Sequence, residues 1–301
     1  MPKRRVKGRR SSRGPRTGRL VLIVAILALA VYVAVVVGRQ FAGYFGSHRP
    51  HKTAVAESPS AVPSATPVAL VSPSPTPSGA TPAPKIAIII DDCGYNLPRD
   101  LRFLKLPIPV TLSILPMTPH GKEVAAAAQS AGKAVMLHLP MEPESSAAHP
   151  GPGAITTEMS DDQVKAQVAA DIASLPAVPG ANNHMGSKAT SDPRVMRDVI
   201  AVLKHDDMFF IDSMTVLDSV GEQTARDDGV PTASRDVFLD NQATVPYVEG
   251  QIKQLEAVAL RNGQAIAIGH PNPETAEALE KMVPEMQAAG FDFVTAQSLV
   301  K

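Results

Sequence analysis

The 301-residue chain holds one cysteine, no tryptophan, four tyrosines and eight phenylalanines. A lone thiol, Cys93, excludes an intramolecular disulfide in any compartment. So few aromatic rings leave little for stacking on sugars and count against a broad polysaccharide groove. Residues 1–19 lack acids altogether and carry nine Lys/Arg. From Lys85 onward the balance reverses, with 17 basic and 28 acidic residues, 17 − 28 = −11, so the zero formal net charge hides two unlike ends. An acidic domain lacks the basic face that phosphate recognition needs, so nucleic acid is excluded as a partner.

Directly after the basic segment comes Leu20–Val37, 18 residues without a charge. That is about the minimum for a spanning helix, and a cleavable signal peptide would have a shorter apolar region of about 7–15 residues. The reading is a single-pass anchor over residues 20–38 in the inner membrane. Basic residues 1–19 would face the cytoplasm and the remainder the periplasm. Residues 39–84 form a Pro/Ser/Thr/Ala-rich linker, nine prolines falling between His48 and Pro84, a composition that stays extended and holds the next domain away from a bilayer.

Residues 85–301 read as one folded domain. Strand-length apolar runs are KIAIII (85–90), VTLSIL (110–115), AVMLHL (134–139), MFFID (208–212), QAIAIG (264–269) and FDFVTA (291–296), with weaker candidates GANNHMG (180–186) and VFLD (237–240). Runs apolar on both faces suit parallel strands covered by helices. Between them, Ser160–Gln163 reads as a capping box, Asp192-Pro193 and Asn272-Pro273 as helix starts, and Gly132, Gly263 and Gly290 as helix stops. The expected fold is α/β, a distorted (β/α) barrel with parallel strands.

In such barrels the chemistry collects where the strands end. The first run ends in Asp91-Asp92, two adjacent anions that repel unless a positive charge sits nearby. Other strand ends carry His138 and Glu142, His184, Asp212, then Arg235, Asp236 and Asp240, and finally His270. Three of the eight histidines thus share one rim. Cys93 beside the carboxylates lacks the partners of a thiolate site and reads as small-residue packing.

The motifs IIIDDCGYN, HLPMEP, NNHMGS, FFIDSMT, DVFLDN and IGHPNPET, in this order, resemble the divergent polysaccharide deacetylase family of the carbohydrate-esterase superfamily. The resemblance covers Lys85 to Lys301 and implies a metal-dependent hydrolase of C–N bonds other than peptide bonds, acting on an acetylated glycan or envelope polysaccharide. By the same resemblance Asp91 would be the general base, His270 the acid and Asp92 a metal ligand. The family's H-x-x-x-H pair is broken here, because Lys188 stands four residues after His184. His138 on the neighbouring strand end is taken as the second imidazole ligand beside His184. The Arg-x-Pro-Tyr motif is also missing, and Arg235 beside Asp236 stands in for its arginine.

One carboxylate and two imidazoles leave open positions on a divalent metal, zinc above all, for water and a carbonyl oxygen. Such a cation also relieves the repulsion between Asp91 and Asp92. Asp212 or Asp236 is expected to orient a histidine from behind. No organic cofactor is implied. The broken motifs keep open a catalytically inactive barrel that binds glycan or an envelope protein partner. A glycosidase with two rim carboxylates about 5–9.5 Å apart is a third reading.

Overall fold

The computed structural model describes residues 82–301. The basic segment 1–19, the span over 20–38 and nearly all of the linker 39–84 lie outside the described residues. Among those described, no helix is long and apolar enough to cross a membrane.

Eight parallel strands form one curled path: β1 (Lys85–Cys93), β2 (Val110–Ile114), β3 (Ala134–Met141), β4 (Gly180–Met185), β5 (Phe209–Asp212), β6 (Thr232–Ser234), β7 (Val237–Phe238) and β8 (Gln264–Gly269). Their spatial order is β6-β5-β4-β3-β2-β1-β8-β7. The two ends of this path are consecutive in the chain. Residues 232–238 pair first with β5 and then with β8, the handover marked by Arg235 N–H donating to Asp212 O and Asp236 N–H to Ile266 O. No residue of this segment ladders with both β5 and β8, so the sheet is an incomplete barrel rather than a continuous one. The run expected over 291–296 lies off the path: β9 (Asp292–Val294) pairs only with the beginning of β1.

Helices cover the convex face: α1 (Leu97–Arg102), α2 (Gly121–Ser130), α3 (Asp161–Ala173), α4 (Pro193–His205), α5 (Gly221–Asp227), α6 (Val245–Asn262) and α7 (Pro273–Ala288). Local chemistry sets their ends. Ser160 and Gln163 form the reciprocal capping box of α3, and Asp192 Oδ1 accepts the Arg194 and Val195 N–H groups ahead of Pro193. α6 stops at Gly263 with φ of 79°.

The period-2 alternation of a strand explains the two cores. On β1, Ile86, Ile88 and Ile90 face the helices, whereas Ala87 and Ile89 face the concave interior with Met136, Ile211, Ile266 and Ile268. Ala296 and Leu299 close the lower end of that interior, Ala296 N–H donating to Thr111 Oγ1. At the upper end the inward columns change from apolar to polar. The next inward positions after Ile89, Met136, Ile211 and Ile268 are Asp91, His138, Ser213 and His270, and Asn182 and His184 are the corresponding positions of β4.

Candidate functional site

Strand alternation sends Asp91 inward and would send Asp92 out into the helix layer. The ladder with β2 slips between Ile90 and Cys93, and Asp92 adopts φ of 57°, a left-handed conformation uncommon for a residue with a Cβ. This bulge swings the second carboxylate over the same opening as the first, which is why the strand ends on two acids. Gly94 completes the turn and donates its N–H to Asp100 Oδ2 at 2.8 Å. Burial lifts the Asp100 pKa to about 6, although that hydrogen bond and His120 oppose the shift. Cys93 points away into the apolar core, its Sγ donating to Ile90 O, and burial raises its pKa well above the ordinary value.

Asp92 Oδ1 lies 2.8 Å from His184 Nδ1 and 3.2 Å from His138 Nε2, and those two nitrogens are 3.2 Å apart. Two donors bound to one zinc at about 2.1 Å with angles of 90–110° are about 3.0–3.4 Å apart. The three atoms therefore sit as neighbouring corners of a coordination shell, with an open side facing the rim. Asp92 Oδ1 is buried and makes no well-formed hydrogen bond, the condition of an atom that a cation satisfies. Electrostatics agree. Burial opposes the Asp92 charge, yet His138 and His184 outweigh it and hold its carboxyl well below the usual range. Burial likewise opposes charge on His138, but Asp91 and Asp92 raise its pKa. Asp92, His138 and His184 fit a divalent metal.

Asp91 is 3% exposed, and burial raises its pKa against the lowering effects of His138, His270 and Asn182. Asn182 Nδ2 donates to both of its oxygens, at 2.9 and 3.1 Å. His270 Nε2 stands 3.7 Å from Asp92 Oδ2 on the other side of the opening. Behind it, Nδ1 donates to Asp240 Oδ1 at 2.9 Å, while Asp240 Oδ2 accepts from His270 N–H, Asn272 Nδ2 and Thr275 Oγ1. Burial works against the imidazolium, but Asp240, with Asp92 and Asp91 beyond, lifts the His270 pKa to about 9.

Asp91, Asp92, His138, His184 and His270 are thus brought together. Asp212 and Asp236 are placed elsewhere. Asp212 lies on the outward column of β5, where it accepts Met214 N–H, Ser219 Oγ–H and Glu222 N–H and shapes the loop into α5. Asp236 accepts Ile266 N–H at the handover between β6 and β7. The residues that do orient the histidines are Asn182 and Asp240, at the strand ends NNHMGS and DVFLDN. The signal for both was position on the inward or rim side, which alternation gives only once register is known. Arg235 donates to the Ser213 and Met214 carbonyls and lies over Phe238, its carbon Cζ 5.1 Å from the ring centre, with Phe238 edge-on to His270. No hydrogen bond joins Arg235 to Asp91 among the described residues. Glu142 is held by Lys188 and by Thr157, so neither it nor Lys188 faces the three donors.

Residues 88–300 match the family model described as divergent polysaccharide deacetylase. The chain belongs to that family. The uncharacterized protein YibQ of Escherichia coli K12 is 36% identical over 201 residues, covering 67% of this chain and 63% of YibQ. This chain therefore spans somewhat less than two thirds of the length of that relative. An uncharacterized Haemophilus influenzae Rd protein is 36% identical over 196 residues, 65% of this chain and 70% of its own. A crystal structure of an uncharacterized Agrobacterium tumefaciens C58 protein superposes with a TM-score of 0.70 at 23% identity, over 74% of this chain and 91% of that one, which shows a shared fold.

Proposed function

We propose that this divergent polysaccharide deacetylase family member is a metal-dependent hydrolase that removes N-acetyl groups from an envelope polysaccharide or oligosaccharide. The observation that carries the reading is the triangle of Asp92 Oδ1, His138 Nε2 and His184 Nδ1, with edges of 2.8, 3.2 and 3.2 Å, flanked by Asp91 and His270. A divalent ion held there supplies Lewis acidity toward the acetyl carbonyl and acidifies water. Asp91 accepts the proton of the attacking water on a carboxylate oxygen, and the burial that raises its pKa suits a group that must take one up. Asn182 keeps both Asp91 oxygens aimed into the opening. His270 delivers the Nε2 proton to the departing nitrogen as the C–N bond breaks, leaving acetate and a free amine. Asp240 holds the opposite nitrogen, so the proton to be given away faces the substrate.

The reading includes anchoring through residues 20–38 in the inner membrane, with the barrel on the periplasmic side at the end of the linker. A reporter fused after Lys301 and active only outside the cytoplasm tests that placement. The competing reading is a barrel that binds glycan without catalysis, favoured by the absence of a hydrogen bond between Arg235 and Asp91. Elemental mass spectrometry separates the two when joined to acetate release from an N-acetylglucosamine oligomer. The expected result is about one zinc per chain, lost in Asp92→Ala and His184→Ala, with acetate released by the wild type alone. Zinc without acetate release supports the binding barrel. No zinc even after incubation with the metal sinks the hydrolase.

A further inference from the structure

We propose that Asn182 is a positioning residue that couples Asp91 to His138 by fixing which imidazole nitrogen carries the proton. The inference rests on the reading of Asp91 as base and His138 as ligand. Asn182 is fully buried on the inward column of β4. Its Nδ2 reaches both oxygens of Asp91 and, at 3.1 Å, Ser213 Oγ. An ionised carboxylate only accepts, so the nitrogen end of the amide must face Asp91. The oxygen end is thereby turned to Ser113 Oγ at 2.5 Å and His138 Nδ1 at 2.8 Å. An amide oxygen also only accepts, so the His138 hydrogen is held on Nδ1. The nitrogen left over is Nε2, and it is the one aimed at Asp92 Oδ1 and His184 Nδ1.

A single amide orientation, imposed by the base, therefore presents the Nε2 lone pair to the ion. Ligand histidines are commonly oriented by a carboxylate or a carbonyl. A carboxylate at position 182 would stand against Asp91 and repel it, and the amide meets both demands: it donates on one side and accepts on the other. Neither half works without a buried, fixed side chain between β1 and β3.

The test is zinc affinity of the full chain, measured by competition with a chromophoric chelator, beside a long-range proton–nitrogen NMR spectrum of the zinc-loaded wild type. Asn182→Ala removes the acceptor and is expected to weaken zinc binding by about 10–100-fold. Asn182→Asp keeps an acceptor for His138 and adds a negative charge, so its affinity stays within about threefold of the wild type or tightens. General damage to the fold would weaken both. The spectrum is expected to show His138 protonated at Nδ1 and metallated at Nε2, and it decides the matter even where Asn182→Ala fails to fold. A metallated Nδ1, or Asn182→Ala binding zinc as well as the wild type, overturns the inference and leaves the metal site standing. A wild type that binds no zinc overturns both.

Discussion

Replacing Asp240 by Asn is the sharpest perturbation the structure offers. Asp240 uses its two oxygens unequally: Oδ2 accepts three donors, from His270 N–H, Asn272 and Thr275, while Oδ1 accepts only the His270 Nδ1 hydrogen. An asparagine keeps its one oxygen on the side of the three donors and turns its NH2 toward Nδ1. That nitrogen must then accept, and the neutral imidazole carries its hydrogen on Nε2. The charge that lifted His270 from 6.5 to about 9 disappears as well. The rise from 6.5 to about 9 corresponds to at most about 3.4 kcal/mol of interaction favouring the imidazolium. Asp92 and Asp91 retain part of it, and burial now acts with less opposition, so a fall of about two units is expected.

Nitrogen-resolved NMR of the His270 ring in chelator-treated protein reads tautomer and pKa together. The apo state is used because a cation beside Asp92 would itself repel the imidazolium proton. Linkage gives a second readout. A raised imidazole pKa stabilises the fold fully below the unfolded value of 6.5 and loses that contribution as the pH climbs through about 9. The melting temperature of Asp240→Asn should therefore trail the wild type most in acid and approach it in alkali. An Asn variant whose His270 still titrates near 9 with its hydrogen on Nδ1 would refute the reasoning.

Asp171 is fully buried, and burial pushes its carboxyl from 3.8 to about 7 against the hydrogen bond from Gln167. A raised carboxylate favours the fold below the unfolded pKa and loses that favour as the pH rises through the folded one. Asp171→Asn should thus gain on the wild type in unfolding free energy between pH 5 and 8, by at most about 4 kcal/mol in chemical denaturation, and a gap that does not move with pH counts against it. A Cβ at Gly94 would stand 2.2 Å from Thr118 Oγ1 at a φ of +116°, so Gly94→Ala should cost about 1–3 kcal/mol in chemical denaturation. The same variant should weaken zinc binding by displacing Asp92, and zinc affinity equal to the wild type would argue against the bulge as the device that aims it. Lys188→His restores the H-x-x-x-H spacing, yet Lys188 Nζ bonds Glu142 Oε1 at 2.7 Å instead of facing the donors. Zinc affinity should be unchanged in that variant, and a marked gain would mean that position 188 reaches the metal.

Much of the architecture arises from local chemistry that the chain carries openly. Isoleucine-rich runs apolar on both faces dictate buried parallel strands, and Ser160, Asp192, Pro193 and Gly263 set helix ends through hydrogen bonds within a few residues of themselves. The five residues Asp91, Asp92, His138, His184 and His270 were legible because a parallel α/β sheet places its strand ends on one rim, so order along the chain translates into proximity. What stayed hidden depends on register and on dihedral angle. Whether Asp212 faces a histidine or a loop is a matter of odd or even position on a strand whose start cannot be read to one residue. The slip between Ile90 and Cys93 that turns Asp92 inward comes from pairing with β2. Asn182 and Asp240 look like ordinary polar residues in NNHMGS and DVFLDN. Only when β4 is laid between β3 and β5, and Asp240 beside the end of β8, do they meet His138 and His270. Composition and periodicity decide which segments are strands and helices because those forces act locally; convergence of donor atoms to within 3.2 Å is a product of the tertiary sheet, which brings Asp92 to His184 across 92 positions of chain.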